Sequence, residues 1–317
     1  MNRIIIEGLN SFEYEHEFDR KALSALEKTP GLELLVRKFN EYWNDKILKI
    51  QITGSYLKVT ENNFPEVHRA LIEGCTILNI KKIPKLYIQC GYNVNAFTSG
   101  VEDPIIVLTS GCIDLLSYAE LLYVIGHELG HIKSEHVLYL QMARVLPVLG
   151  DLIGSATLGI GKLLSQGLRV SILHWSRMAE FTADRAGLLS CQNVDAAITT
   201  TMKIAGLPLT HSTEANLEEF KKQAKEFEEY DYDTLDKAAK LFCTVGNSHP
   251  WSVMRASEQY NWIDSNQYTD IINREGLSLD KYTLICSKCG SKMRIPKGLG
   301  NITVKCPSCN EKFDMKS

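Results

Sequence analysis

The 317-residue sequence shows no large excess of charge of one sign, no N-terminal apolar stretch of the length typical of a secretory leader, and no uninterrupted apolar run long enough to cross a membrane. Its 35 Lys and Arg residues against 38 Asp and Glu leave a net charge of −3, so the protein as a whole has no electrostatic preference for nucleic acid or an anionic membrane. Only three consecutive apolar residues, Ile4 to Ile6, precede Glu7, too few for the apolar region of a signal peptide. We therefore expect a globular cytoplasmic protein with reduced thiols.

The most apolar region, residues 145–170, is interrupted by charge. Asp151, Lys162 and Arg169 fall within it, whereas a transmembrane helix needs about 20 apolar residues. A charged side chain at the bilayer centre costs roughly 2.5–3.5 kcal/mol on insertion scales. We predict that this region does not span a membrane, and peripheral contact of 145–170 with a membrane stays open.

The apolar periodicity predicts an α+β protein that is mostly helical with a small sheet. Helices are predicted in 20–45, 63–80, from 118 onward, 170–190 and 214–242, and strands at 55–60, 84–90, 93–99 and 104–110. We predict a domain at 1–275, with a helical part at about 1–60 and a core at about 60–260. A linker at 273–282 would lead to a small module at 284–317.

The segment His127-Glu-Leu-Gly-His131 lies inside a predicted helix, which Ser117 and Glu120 begin as a capping box. Residues four apart lie about 40° apart around a helix axis, so both imidazoles can bind one zinc ion, and Glu128 can reach a water on that ion. The alternative is a pair of exposed helix histidines. His136 would point to the opposite face of a continued helix, and we predict that it is a surface residue.

A catalytic zinc usually has three protein ligands, so a third is needed. Glu180 and Asp184 are also four residues apart, on the predicted helix at 170–190. One of them could bind the metal while the other accepts a hydrogen bond from a ligating histidine. Carboxylates with this spacing also occur on solvated helix faces, so the spacing alone does not assign the ligand.

Together these segments resemble the gluzincin metallopeptidases that include HtpX and the CAAX prenyl endopeptidases. Three further stretches are similar to the family in the expected order: NAFTSG at 95–100, VLTSGCIDLL at 107–116, and His249-Pro250 followed by Arg255. Thr98 stands where alanine is common in the family. Membrane members carry transmembrane helices between the histidine and glutamate helices, and 145–170 lacks a clean span, so the chain resembles a soluble or peripheral branch.

The resemblance implies a zincin-type, zinc-dependent endopeptidase acting on protein or peptide substrates. It implies His127, His131 and Glu180 as zinc ligands, Glu128 as general base and Asp184 as support for a ligating histidine. It also implies that the backbone of Asn95, Ala96 and Phe97 pairs with an extended substrate at an edge strand. His249 and Arg255 would stabilise the negative charge that develops on the scissile carbonyl.

The C-terminal module contains two CxxC pairs formed by Cys286, Cys289, Cys306 and Cys309, with sixteen residues between the pairs. This spacing predicts a Cys₄ structural zinc site in a zinc ribbon. The ribbon is locally basic, yet no aromatic residues interleave the basic ones as a stacking platform, so a protein partner is favoured over nucleic acid. The other cysteines are predicted core residues: Cys75, Cys90, Cys112, Cys191 and Cys243.

Two other functions fit parts of the sequence. The peptidase fold could serve a chaperone-like or regulatory binding protein whose cleft is masked. Alternatively, the ribbon could make the protein a nucleic-acid-binding regulator, in which case affinity would depend strongly on salt and would be lost on removal of 284–317.

Overall fold

The computed structural model describes residues 3–29, 32, 36, 45–143, 160–229 and 250–273, and parts of the C-terminal region at 281–286, 288–289, 292–296, 301–305, 309 and 311–316. The chain divides into two compact units, residues 1–272 and 273–317. The first unit combines many helices with one small mixed sheet, which confirms the predicted α+β class. The second contains two antiparallel hairpins.

The described α-helices of the first unit include α1 (Glu17–Glu27), α2 (Asp45–Ser55), α3 (Pro65–Ile77), α4 (Ser110–Leu115), α5 (Tyr118–Lys133), α6 (Ile160–Cys191), α7 (Val194–Ala205), α8 (Leu217–Glu229), α9 (Ser252–Asp264) and α10 (Gln267–Ile272). The strands are β1 (Leu57–Lys58), β2 (Lys85–Gln89), β3 (Ala96–Ser99) and β4 (Ile105–Thr109). The hairpins of the second unit pair β5 (Lys281–Ile285) with β6 (Lys292–Pro296), and β7 (Asn301–Lys305) with β8 (Lys312–Lys316).

Local sequence signals account for where helices α3 and α5 begin. Pro65 occupies the first turn of α3, where its missing N–H costs no hydrogen bond. At the start of α5 the backbone N–H of Ser117 donates to the Glu120 carboxylate at 2.7 Å, as the capping box predicts. Helix is also predicted at residues 230–242 and 31–44. The first range and most of the second lie outside the described residues.

The sheet has the order β1-β2-β4-β3, with β2 and β4 parallel and the other two pairs antiparallel. Every residue of β4 is buried, as expected of a strand covered on both faces. Ile106 and Leu108 pack in the main core with α3 and α5, whereas Val107 packs with Ile52 of α2. Strand β3 forms the edge of the described sheet, with Ala96 opposite Leu108.

Glycines bring α5 and α6 unusually close together. A Cβ atom at Gly130 would lie 2.5 Å from Cβ of Ala186, and one at Gly126 would lie 2.4 Å from Cβ of Ser190. Contacts this short are incompatible with a side chain at either glycine unless a backbone moves. Small residues on the facing surfaces therefore set the separation of the two helices that carry the candidate ligands.

His136 is buried, and the expectation that it lies on the surface is wrong. The projection assumed a continuous helix, but α5 ends at Lys133 and Glu135 adopts a left-handed conformation with φ of 60°. The turn lets the N–H of His136 donate to the carbonyl of His131 at 3.0 Å, and the side chain is 4% exposed. The chain thus turns His136 back toward the histidine helix.

The predictions for the cysteines outside the two CxxC pairs are partly confirmed. Cys75, Cys112 and Cys191 are buried, but Cys90 is exposed, because β2 ends at Gln89 and Cys90 begins the following loop. Cys243 lies outside the described residues. Within the described part of the chain, no helix combines the length and apolar character needed to cross a membrane. Residues 145–159 fall outside that part.

Candidate metal centre

His127 and His131 project from the same face of α5, and both are buried. Nε2 of His127 lies 3.4 Å from Oε2 of Glu180, and Nε2 of His131 lies 3.4 Å from Oε1 of the same carboxylate. The three side chains offer ligand atoms that all lie within 4.8 Å of one another. The i, i+4 spacing on α5 and the close packing of α6 produce this convergence.

The arrangement fits a zinc ion by donor type and by spacing. Zinc takes imidazole nitrogen at about 2.0–2.1 Å and carboxylate oxygen at about 2.0–2.2 Å, so tetrahedral ligand atoms lie about 3.3–3.5 Å apart. Both nitrogen-to-oxygen separations of 3.4 Å match this value. Each imidazole also turns its Nε2 toward Glu180, and its Nδ1 toward a different partner.

The electrostatics of the site favour a positive charge between these residues. Burial lowers the pKa of His127, but the carboxylates of Asp184 and Glu180 outweigh burial and raise that pKa to about 9. For His131, burial prevails and the pKa falls below its ordinary value. The carboxylates of Asp184 and Glu180 thus stabilise positive charge next to His127. A bound divalent metal ion would supply that charge in place of a proton.

Asp184 is the hub of a buried network behind His127. Its Oδ1 accepts hydrogen bonds from the Tyr123 hydroxyl at 2.8 Å, from Nδ1 of His127 at 3.0 Å and from Nη2 of Arg255 at 2.5 Å. Its Oδ2 accepts from Nε of Arg255 at 2.8 Å. Burial raises the pKa of Asp184, but the Arg255 charge outweighs this and lowers it to about 2. Asp184 is therefore ionised and holds the ring of His127.

Glu180 and Asp184 of α6 have different surroundings, and their spacing in the sequence did not show which of them faces the metal site. Glu180 faces the Nε2 atoms of both histidines, whereas Asp184 contacts Nδ1 of His127. Tyr123 also contacts Asp184, and the sequence reading missed it. The signal was present, because Tyr123 lies four residues before His127 and so on the same helix face.

A cavity of about 110 Å³ opens at this cluster. Glu128 lines it and is 5% exposed, and its Oε2 accepts a hydrogen bond of 2.6 Å from the hydroxyl of Thr98. Asn95 and Ala96 line the same cavity, whereas Phe97 packs on the sheet with Tyr87 and Val107. The wall is completed by Val94, Tyr123, Val124, Ile204, Pro250 and Arg255.

Of the two residues predicted to stabilise charge on the substrate, the structure describes one. Arg255 lines the cavity, but its guanidinium donates twice to Asp184. His249 lies outside the described residues, and its neighbour Pro250 lines the cavity. The action of both residues on a scissile carbonyl stays a prediction.

In the C-terminal unit, Cys286, Cys289 and Cys309 offer sulfur atoms that lie within 4.8 Å of one another. The sulfur atoms of Cys286 and Cys309 are 3.5 Å apart. Cys306, the fourth cysteine of the predicted site, lies outside the described residues.

Comparison with known proteins agrees with this geometry. The model of peptidase family M48 matches residues 61–263. The plastoglobule-localized metallopeptidase 48 of Arabidopsis thaliana, a chloroplastic protein, is 30% identical over 274 residues, which cover 86% of this chain and 78% of that protein.

Two proteins described as HtpX protease homologues match a shorter part of the chain. Protease HtpX homolog 2 of Methanosarcina acetivorans is 28% identical over 188 residues, covering 52% of this chain and 63% of that protein. The homologue from Bifidobacterium longum is 29% identical over 195 residues, covering 54% and 63%. The region that the family model matches contains His127, His131 and Glu180, whose ligand atoms converge; the chain belongs to peptidase family M48 and is a zinc-dependent endopeptidase.

Proposed function

We propose that His127, His131 and Glu180 hold the catalytic zinc and that the enzyme cleaves protein or peptide substrates bound along β3. The observation that carries this proposal is the convergence of two Nε2 atoms on one carboxylate, in a cavity that Glu128 and Asn95 also line. Bound there, zinc supplies a Lewis acid that activates water and polarises a substrate carbonyl. The chain's own residues supply proton transfer and substrate alignment.

Glu128 is the proposed proton carrier. It follows His127 directly, so its carboxylate reaches the cavity beside the ligands, and the Thr98 hydroxyl fixes one of its oxygens. A general base must lie within hydrogen-bond reach of the proton it takes. Glu128 would take a proton from the attacking water and return it to the nitrogen of the departing amine.

Strand β3 is the proposed substrate-binding edge. It pairs antiparallel with β4 on one side, and Asn95 and Ala96 at its start line the cavity. An extended peptide can add to such an edge through main-chain hydrogen bonds. The packing of Phe97 against Tyr87 and Val107 anchors the strand to the sheet, so this side chain would position the edge without entering the cavity.

His249 and Arg255 are proposed to act on the negative charge of the scissile carbonyl. Arg255 is at the cavity wall, which supports this role, but it already donates two hydrogen bonds to Asp184. We therefore assign the larger share of oxyanion stabilisation to His249, and to Arg255 the additional task of holding Asp184 against His127. Loss of one such donor typically costs about 10²–10³ in rate.

For the C-terminal unit we propose a structural zinc bound by Cys286, Cys289, Cys306 and Cys309, supported by the proximity of the three described cysteines. The basic residues Lys288, Lys292, Arg294, Lys297 and Lys305 would face a protein partner. We propose a cytoplasmic location from the reduced thiols, with peripheral membrane contact through 145–170. One relative is described as plastoglobule-localized and chloroplastic, so membership of the family does not by itself fix the compartment.

The test combines zinc content with turnover of an unfolded protein substrate. Glu128→Gln should retain zinc and lose about 10²–10⁴ in kcat, the range for a general base. Glu180→Ala should lose one zinc equivalent. Glu61→Gln, at an exposed site that does not line the cavity, is the matched control and should retain zinc and activity. Turnover by a zinc-loaded Glu128→Gln variant at the wild-type rate would refute the assignment of the base.

A further inference from the structure

The two candidate histidine ligands are supported in different ways. Nδ1 of His127 contacts the carboxylate of Asp184 at 3.0 Å. Nδ1 of His131 instead lies 3.0 Å from Nδ1 of a third histidine, His136. Because ligating histidines are normally oriented through their other ring nitrogen, His136 occupies the place that Asp184 occupies for His127.

His136 is in turn held by a carboxylate from the N-terminal helix. Its Nε2 lies 3.1 Å from Oδ2 of Asp19 on α1. The same oxygen accepts a hydrogen bond of 2.6 Å from the hydroxyl of Thr182, to which the backbone N–H of His16 donates at 3.0 Å. His136, Asp19 and Thr182 are 4%, 1% and 0% exposed, so water does not compete for these bonds.

If His131 binds the metal through Nε2, the direction of the hydrogen bonds that run from His131 through His136 to Asp19 is fixed. With its Nε2 lone pair on the metal, neutral His131 carries its proton on Nδ1 and must donate to Nδ1 of His136. His136 then carries its own proton on Nε2 and donates to Asp19. Burial raises the pKa of Asp19, but the hydrogen bond from His136 and other contacts outweigh it, so the pKa lies below its ordinary value. The terminal acceptor is thus a carboxylate.

We propose that Asp19 and His136 are positioning residues of the zinc centre, with Asp19 acting on His131 through His136. This inference rests on the proposed assignment of His131 as a zinc ligand. The relay would fix the tautomer and ring orientation of His131 and raise the basicity of its Nε2. Asp19 lies outside the region that the family model matches, residues 61–263. The N-terminal helix would therefore complete the outer shell of the metal site.

The proposal predicts a specific loss of zinc affinity. Replacement of a partner behind a ligating histidine typically lowers metal affinity by 10–100-fold. We expect about tenfold for Asp19→Asn, which preserves shape and removes charge, and more for His136→Phe, which leaves the His131 N–H without an acceptor. Glu17→Gln, an exposed site on the same helix, is the matched control and should retain wild-type affinity.

Zinc dissociation constants of the full chain are measured by competition with a chelator, and His131→Ala identifies which site in the binding curve is the peptidase site. Visible absorption of the cobalt-loaded protein reports the ligand field at that site. The double variant Asp19→Asn, His136→Phe should lose no more affinity than His136→Phe alone, since Asp19 has no route to His131 once His136 is gone. A purely structural role of Asp19 would instead give additive losses.

The outcomes separate this inference from the proposed function. If His131→Ala leaves zinc binding intact, the proposed ligand assignment fails. If His131→Ala abolishes binding at one site but Asp19→Asn and His136→Phe retain wild-type affinity and cobalt spectra, the relay is refuted while the ligand assignment stands. Additive losses in the double variant would also refute action of Asp19 through His136.

Discussion

Replacing Asp184 with asparagine tests the buried network behind His127. The carboxylate is 1% exposed and accepts four hydrogen bonds from three side chains, Tyr123, His127 and Arg255. Asparagine has the same shape but offers one acceptor oxygen and one NH₂ group, which carries two N–H donors. Whichever way its amide is turned, its NH₂ group faces an N–H or O–H donor, and the Arg255 guanidinium loses its counter-ion.

The expected loss of stability is about 3–5 kcal/mol, the typical result of removing one partner of a buried ion pair. The pKa of Asp184 gives an independent scale. Its fall from 3.8 to about 2 corresponds to about 2 kcal/mol at neutral pH. The substitution should cost more than protonation, because a protonated carboxyl can turn its single O–H away from the donors. Zinc affinity should also fall by about 10–100-fold, since His127 loses its anchor.

The assay is urea unfolding of the zinc-free protein followed by tryptophan fluorescence. All four tryptophans lie in the first unit, so the signal reports that unit, and removal of zinc prevents metal binding from adding to the measured stability. Asp114→Asn, at an exposed site, is the control and should stay within about 0.5 kcal/mol of wild type. The reasoning fails if Asp184→Asn unfolds with the same free energy as this control.

Three further predictions concern the same site. Gly130→Ala should destabilise the protein by about 1–2 kcal/mol in urea unfolding, because the clash with Ala186 outweighs the gain in helix propensity; unchanged stability would contradict the close helix packing. Thr98→Val should lower kcat about tenfold at constant zinc content by removing the hydrogen bond to Glu128, whereas Thr98→Ser should retain activity; wild-type kcat in the valine variant would contradict this. Because the folded-state pKa of Asp184 is depressed, the contribution of its carboxylate to stability is complete above about pH 4 and disappears as pH falls toward 2. A zinc-free protein with the same free energy of unfolding at pH 2.5 and pH 5 would contradict this contribution.

The sequence was sufficient for features whose physical cause is local. His127 and His131 share a helix face because of their spacing, and Glu180 and Asp184 do so for the same reason. Ser117 marks the beginning of α5 through its capping box. Local spacing could not decide which α6 carboxylate faces the metal site, because that depends on how α5 and α6 are rotated against each other.

Features that depend on a helix end or on contacts distant in sequence were not predictable in this way. The segment Lys133-Ser-Glu-His136 contains no glycine or proline, so the sequence gives no sign that α5 ends there. The left-handed Glu135 that turns His136 inward is therefore invisible in the sequence. Asp19 reaches His136 across more than a hundred residues, and its own neighbours give no sign of that contact.

The N-terminal helix has two roles that substitution can separate. Leu26 of α1 is 1% exposed and packs with Trp175 of α6 in a small apolar cluster, whereas Asp19 on the same helix contacts His136. Leu26→Ala should cost about 2–5 kcal/mol of unfolding free energy through the cavity it leaves, yet the folded protein should keep its zinc affinity because the Asp19 to His131 relay is intact. Asp19→Asn should weaken zinc binding even in molecules that are fully folded. If Leu26→Ala weakens zinc binding as much as Asp19→Asn does, then α1 acts on the site through its overall position, and the carboxylate has no separate part in orienting His131.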